Sequence, residues 1–167
     1  GLLSFALQSD FSHLTLADTS EGMLDVLAAK IADSGVRNMT PLKLDLTSDP
    51  APASRFDVTY SLMTLHHIPD VDHILRQLHA LLKPGGWLAI ADLDAEDGTF
   101  HTDGTTEVHL GFERATLQKQ VESAGFGEVK VSTPYIIRKK RGETEKSFPV
   151  FLLIAQKPVL ENSDGKP

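Results

Sequence analysis

Three carboxylates close apolar runs in this sequence. Asp18 follows His13-Leu14-Thr15-Leu16-Ala17, Asp45 follows Leu42-Lys43-Leu44, and Asp92 follows Trp87-Leu88-Ala89-Ile90-Ala91. A carboxylate at a strand end can accept two hydrogen bonds from a ribose diol, and it can equally cap the helix that follows. The arrangement says more than any one member. Asp18 is followed by Met23, an apolar side chain on the first turn of a helix, and Asp45 is followed by Leu46. A carboxylate for a ribose, an apolar face for a purine and a second carboxylate for an exocyclic amine make a nucleoside pocket.

The histidines offer a second kind of chemistry. His66, His67, Asp70 and His73 have ligand-like spacing for a helix. Pro69 breaks that helix between the two pairs, so structural or substrate-facing roles are expected and no metal site is. An imidazole titrates near neutrality and is the natural proton acceptor. His66 and His67 at the end of the third strand, and His101 and His109 in an aperiodic stretch, are the candidates. Phe100 and Phe112 flank the latter two, as walls of an acceptor pocket or as a lid on the sheet. The basic run Arg138-Lys139-Lys140-Arg141, with Glu143 and Glu145 beside it, reads as a solvated hairpin tip.

These residues need elements to position them. Residues 2–8 are apolar without a β-branched side chain and predict a helix. Residues 13–18 predict a strand. Ser20 caps a helix whose stripe is Met23, Leu24, Leu27, Ala28 and Ile31, stopped by Gly35. Strands follow at residues 42–45 and 56–62. A helix opens at Pro69-Asp70 and carries Val71, Ile74, Leu75, Leu78, Leu81 and Leu82 at a 3.6-residue period. Pro84-Gly85-Gly86 stops it. Residues 87–92 read as a strand buried on both faces. Residues 93–112 are irregular. A helix at 113–124 and strands at 129–137 and 148–155 complete the chain, the last two strands joined too briefly for a crossover and therefore antiparallel. Strand and helix alternate up to Gly125. The expectation is a Rossmann-like α/β fold, a mostly parallel sheet with an antiparallel C-terminal strand pair and helices on both faces. Ligands of such sheets bind at the carboxyl ends of the strands.

Composition sets the outer bounds. A chain of 167 residues suits one domain, expected over residues 1–157 with a flexible tail at 158–167. Sixteen Lys and Arg against 23 Asp and Glu give a net charge of -7, which argues against nucleic-acid or anionic-membrane binding. Without cysteine there is no disulfide, thiolate metal site or cysteine nucleophile, and a reducing, cytoplasmic setting fits. No apolar run has the length of a membrane helix.

With these pieces in order, the sequence resembles the class I S-adenosylmethionine-dependent methyltransferases, in particular the small-molecule group that includes the ubiquinone-biosynthesis enzymes. The resemblance spans residues 1–157. It is sharpest at Phe56-Asp57-Val58 through Leu65-His66-His67-Ile68, at Leu82-Lys83-Pro84-Gly85-Gly86-Trp87-Leu88 and at Ala124-Gly125-Phe126. It implies S-adenosylmethionine as cofactor and methyl transfer to an O, N or C atom of a small molecule. Asp18 would bind the ribose hydroxyls, with Thr19 and Met23 bordering the adenosine. Asp45 would face the adenine amine and Leu46 would offer its backbone amide. Ser61, Leu62 and Met63 would line the pocket near the sulfonium. Core packing is the plain alternative for Met23, Leu62 and Met63, and the preferred one for Leu62.

The sequence departs from this family at its start. The first central strand and most of the glycine-rich loop are missing, and Gly1 resembles the last glycine of that loop, though a leftover tag glycine explains it equally well. A truncated chain with an incomplete cofactor site is therefore expected, and an exposed central edge would promote a homodimer. The rival readings are an inactive methyltransferase-like binding or assembly domain, a nicotinamide-dependent Rossmann oxidoreductase, and a metal hydrolase built on the histidines.

Overall fold

The structure is a computed structural model, described here for residues 1–53, 55–101, 109–141 and 144–159. It comprises two compact units, Gly1–Asp49 and Pro50–Pro167. No helix among the described residues is long and apolar enough to cross a membrane.

The first unit runs α1 (Leu2–Leu7), a 3-10 turn (Gln8–Asp10), β1 (Leu14–Asp18), α2 (Glu21–Ser34) and β2 (Met39–Lys43). The Ser20 hydroxyl accepts from the Met23 N–H at 3.3 Å and so starts α2, while Gly35 at φ 70° ends it. β1 and β2 are parallel, with Leu14 opposite Met39 and Asp18 opposite Lys43. Leu14, Leu16 and Met39 form the buried apolar set. The Asn38 side chain donates to the Gln8 and Phe11 carbonyls at 2.7 and 2.9 Å, tying the start of β2 to the end of the first turn. Two expectations change here. β2 lies earlier than residues 42–45, which puts Asp45 beyond the strand in a turn rather than at its last position. The apolar stripe of α2 is not a core stripe, since none of its residues is fully buried and Met23 is 56% exposed.

The second unit runs β3 (Phe56–Leu62), a 3-10 turn (Leu65–His67), α3 (Val71–Leu81), β4 (Leu82–Leu93), α4 (Arg114–Ser123), β5 (Gly127–Arg141) and β6 (Thr144–Gln156). Its sheet has the order β3-β4-β6-β5. β3 and β4 are parallel, joined through α3, and the β4–β6 and β5–β6 pairs are antiparallel. The predicted antiparallel final pair is present and longer than expected. Residues 138–141 and 144–146 belong to the strands themselves, with Arg138 opposite Ser147 and Lys139 opposite Lys146, so the basic run is strand rather than hairpin tip. Lys139 Nζ donates to the Phe100 carbonyl at 2.9 Å and sits 3.4 Å from that ring's centroid. Pro84-Gly85-Gly86 ends the helical path as expected but is carried into β4, where the register shifts between Phe56–Leu82 and Val58–Trp87. Only one face of β4 is fully buried, through Leu88 and Ile90. The tail beyond Val159 lies outside the described residues.

α3 shows how the helices are held. Asp70 caps it by accepting from the His73 N–H at 2.8 Å, and Val71, Ile74, Leu75 and Leu81 are buried. Lys157 Nζ closes its other end on the His79 and Leu82 carbonyls at 2.9 and 3.0 Å. The His79 ring meets Phe126 edge-on with centroids 5.0 Å apart. Burial, and then the Lys157 charge, lower the His79 pKa from its ordinary value. The folded state therefore disfavours imidazolium, and the unfolded chain takes up the proton at higher pH. This contribution to stability is intact above about pH 6.5 and is lost as pH falls through that value towards the folded pKa. The wild-type Tm is expected to drop more between about pH 7.5 and 5.5 than that of His79→Gln. Equal drops in thermal melts of the two proteins would refute this.

Candidate functional site

The second unit contains a buried charge-bearing contact at the carboxyl ends of β3 and β4. Asp92 is 0% exposed and His66 is 1% exposed. Asp92 Oδ1 lies 2.6 Å from His66 Nδ1 and also accepts from the Leu93 N–H at 2.8 Å. Its Oδ2 accepts from the His66 N–H at 3.2 Å. The carboxylate thus holds both the backbone and the ring of His66. With Nδ1–H donated to Asp92, the neutral ring carries its lone pair on Nε2.

Register explains this meeting. Leu62 pairs with Ala91, so the chain leaving β3 passes beside Asp92. Met63 then adopts φ 53° and donates its N–H to the Ala91 carbonyl at 2.8 Å. The 3-10 turn follows at once and brings His66 over Asp92. Met63 packs against the buried cluster Leu93, Phe100, Phe148 and Val150, which suits its core reading. Leu62 does the opposite. It is 46% exposed, which overturns the preference for core packing there, because it stands at the last position of β3 where the sheet ends. Ser61, half-buried, lies opposite Ile90.

A second histidine joins from each side. The ring centroids of His66 and His67 are 4.0 Å apart, those of His66 and His101 5.2 Å, and those of His67 and His101 5.4 Å. Each of the three offers a ring nitrogen within 4.8 Å of the others. His66 Nε2 and His101 Nε2 are buried and have no hydrogen-bond partner among the described residues. Such atoms are costly unless something meets them. The chemistry open to this group is proton uptake or metal ligation.

His109 takes a different place. Its N–H donates to the His66 carbonyl at 2.7 Å and its Nε2 lies 2.9 Å from the Ile68 carbonyl oxygen. It lines a cleft of about 570 Å3 with Asp70, Phe112, Glu113, Thr116 and Gln120. Asp70 and His73 are spent on α3, as its cap and on a 3.5 Å approach to Gln77, so the quartet suggested by spacing is not assembled. His101 takes their place beside His66 and His67. Spacing missed it because residues 94–101 carry no period that would locate them. The signal available was Asp92 itself, an acid ending a continuous apolar run and therefore in need of a buried partner.

The first unit holds the other predicted residues. Because β1 and β2 are parallel and in register at Asp18–Lys43, Asp18 and the turn bearing Asp45 lie at the same end of the two strands. Asp18 Oδ1 accepts from the Ser20 N–H at 2.9 Å. Asp45 Oδ1 accepts from the Thr47 hydroxyl at 2.5 Å and from its N–H at 2.9 Å, and these bonds lower its pKa. Thr19 and Met23 are exposed, and Leu46 is half-buried. Gly1 precedes α1 and accepts from the Phe5 N–H at 3.1 Å.

Comparison with known proteins adds the following. A family model described as a methyltransferase domain matches residues 1–88. A ubiquinone biosynthesis O-methyltransferase of Marinobacter nauticus is 31% identical over 103 residues, covering 60% of this chain and 43% of that protein. A ubiquinone/menaquinone biosynthesis C-methyltransferase of Shewanella sp. is 33% identical over 94 residues, covering 52% of this chain and 38% of that protein. The chain thus spans less than half the length of these curated relatives. Among solved structures, phosphoethanolamine N-methyltransferase 2 of Haemonchus contortus, in complex with S-adenosyl-L-methionine, superposes with a TM-score of 0.72 at 16% identity, covering 93% of this chain and 46% of that one. At that identity the likeness is one of fold, and it agrees with the Rossmann-like architecture expected from the sequence.

Proposed function

The chain belongs to the methyltransferase domain family, and from that premise we propose that it transfers a methyl group from S-adenosylmethionine to a nucleophilic atom of a small molecule. The family match carries this reading. The two carboxylates at one end of β1 and β2 support it, because they suit a nucleoside. Asp18 has given one acceptor site to Ser20, and a carboxylate has roughly four, so capacity for a ribose diol remains. The exposed Met23 and Thr19 border the adenosine. Asp45 takes the adenine amine and Leu46 its ring nitrogen through the backbone amide. Within the second unit, Ser61 and Leu62 are the residues the resemblance assigns to the sulfonium, and the exposure of Leu62 favours that role over core packing, while Met63 stays with the buried cluster.

When bound, S-adenosylmethionine supplies an already activated methyl, so the protein's part is alignment and exclusion of water. Where the acceptor must lose a proton, the group His66, His67 and His101 takes charge of it, and His109 keeps a positioning role through its bonds to the His66 and Ile68 carbonyls. The curated relatives are named for O- and C-methylation in ubiquinone biosynthesis, so a quinone precursor is the acceptor to assay first.

Calorimetric titration with S-adenosylhomocysteine tests the reading, with NADH as control. Binding of the first alone is expected. Asp18→Ala is expected to weaken it by about 10- to 100-fold, the worth of hydrogen bonds to a charged acceptor. NADH binding in its place, or S-adenosylhomocysteine affinity unchanged in Asp18→Ala, would overturn it.

A further inference from the structure

Beyond methyl transfer, we propose that His66, His67 and His101 form a binding site for a borderline divalent cation such as Zn2+. Their ring nitrogens already lie within 4.8 Å of one another. Around a tetrahedral ion with bonds of about 2.1 Å, neighbouring nitrogens stand roughly 3.4 Å apart. Binding therefore draws the three nitrogens closer together than they stand here. His66 is the fixed member, clamped by Asp92, while His67 is exposed and His101 half-buried.

Three features favour a cation over a plain ring cluster. Two of the three rings hold a buried Nε2 with no hydrogen-bond partner among the described residues, and a metal satisfies such atoms at once. The rings are tilted by 42°, 37° and 60° rather than stacked flat, and one nitrogen of each lies within 4.8 Å of the others. His66 presents Nε2 while its Nδ1–H is held by a buried carboxylate at 2.6 Å. That carboxylate–imidazole arrangement fixes the tautomer and raises the basicity of a metal-ligating histidine.

The donor set names the ion. Imidazole nitrogens without thiolate or first-sphere carboxylate select Zn2+, Co2+, Ni2+ or Cu2+ over Mg2+ or Ca2+. Three protein ligands leave a fourth position for water or an oxygen donor, and the exposed His67 marks the side from which it arrives. With an ion bound, these nitrogens no longer take a proton themselves, and a hydroxyl at the fourth position would instead be acidified by the ion.

The test uses the full chain, stripped of metal by a chelator. Titration with Co2+ is expected to give visible d–d bands of a low-coordinate nitrogen site, with one ion per chain, and calorimetry with Zn2+ the same stoichiometry. His67→Ala and His101→Ala are each expected to weaken binding by at least about tenfold, and Asp92→Asn by about 10- to 100-fold. His13→Ala and His73→Ala should leave it unchanged. His67 is exposed, so its variant separates lost ligation from lost folding. Absence of binding, or binding equally strong in His67→Ala and His101→Ala, would overturn the proposal. Neither result bears on the S-adenosylhomocysteine titration, so the two readings fail separately.

Discussion

Asp92→Ala is expected to destabilise the protein by about 3–5 kcal/mol, the cost of removing one partner from a buried polar pair. The carboxylate accepts three N–H bonds, from the His66 ring, the His66 backbone and the Leu93 backbone, and all three donors lose their partner together. Against a total stability on the order of 5–15 kcal/mol this is a large fraction, and it corresponds to a Tm lower by about 10 °C. Asp92→Asn should cost less, about 1–3 kcal/mol. An amide has one oxygen and one NH2, so whichever way it turns, a donor faces a donor on one side. Adding His66→Phe to Asp92→Ala removes the orphaned ring N–H but leaves the backbone ones, so part of the loss is recovered. The double-mutant cycle should show a coupling of about 0.5–3 kcal/mol. Urea unfolding of the four proteins measures it. A cost below about 1 kcal/mol for Asp92→Ala would show that the carboxylate does not hold the turn.

That pair also marks where the sequence stops being legible. Local chemistry was readable. Ser20 and Gly35 bracket α2, Asp70 caps α3, and the stripe of Val71, Ile74, Leu75 and Leu81 is the buried face of α3. Strand ends followed from the acids, except at β2. There the strand begins at Met39 and passes through Pro41, and a turn held by Thr47 takes up Asp45. Contacts between distant segments were not readable. The sequence alone suggests a ribose ligand or helix cap for Asp92, whereas its partner is His66, 26 residues away. His101 reached His66 and His67 through an aperiodic segment, while the attractive spacing of Asp70 and His73 led elsewhere. Periodicity reports which face of an element is buried. It does not report which residue lies across from it, because that depends on strand register.

In the segment that returns the chain from β4 to α4, a single backbone position decides the packing. Gly111 has φ 69°, and a Cβ built on it would lie 2.1 Å from the Asp94 carbonyl oxygen and 2.6 Å from the Asp94 carbonyl carbon. Neither atom can swing away, because both are backbone of the Asp94–Phe112 bridge. Around it the Ala95 N–H donates to the Phe112 carbonyl at 3.0 Å, the Phe112 N–H to the Leu93 carbonyl at 2.9 Å, and the Glu96 N–H to the Leu110 carbonyl at 2.9 Å. The Asp94 side chain is forked by Arg114, with both bonds at 2.6 Å, and Arg114 continues to the Thr133 hydroxyl. Gly111→Ala must therefore separate two backbones and strain this set. Left-handed backbone costs an L-residue about 1–2 kcal/mol, and each net hydrogen bond lost adds about 0.5–1.5 kcal/mol. The expected total is about 3–5 kcal/mol, with His109 and Phe112 displaced from the cleft wall they share. Gly98→Ala is the internal control. Gly98 has φ 81°, but the nearest atoms to its added Cβ are Leu110 methyl carbons at 3.6 Å, so only the backbone term applies, about 1–2 kcal/mol. Urea midpoints of the two variants separate close approach from backbone conformation. Equal costs would show that φ alone makes Gly111 necessary, and that the Asp94 backbone gives way more easily than the bridge geometry implies.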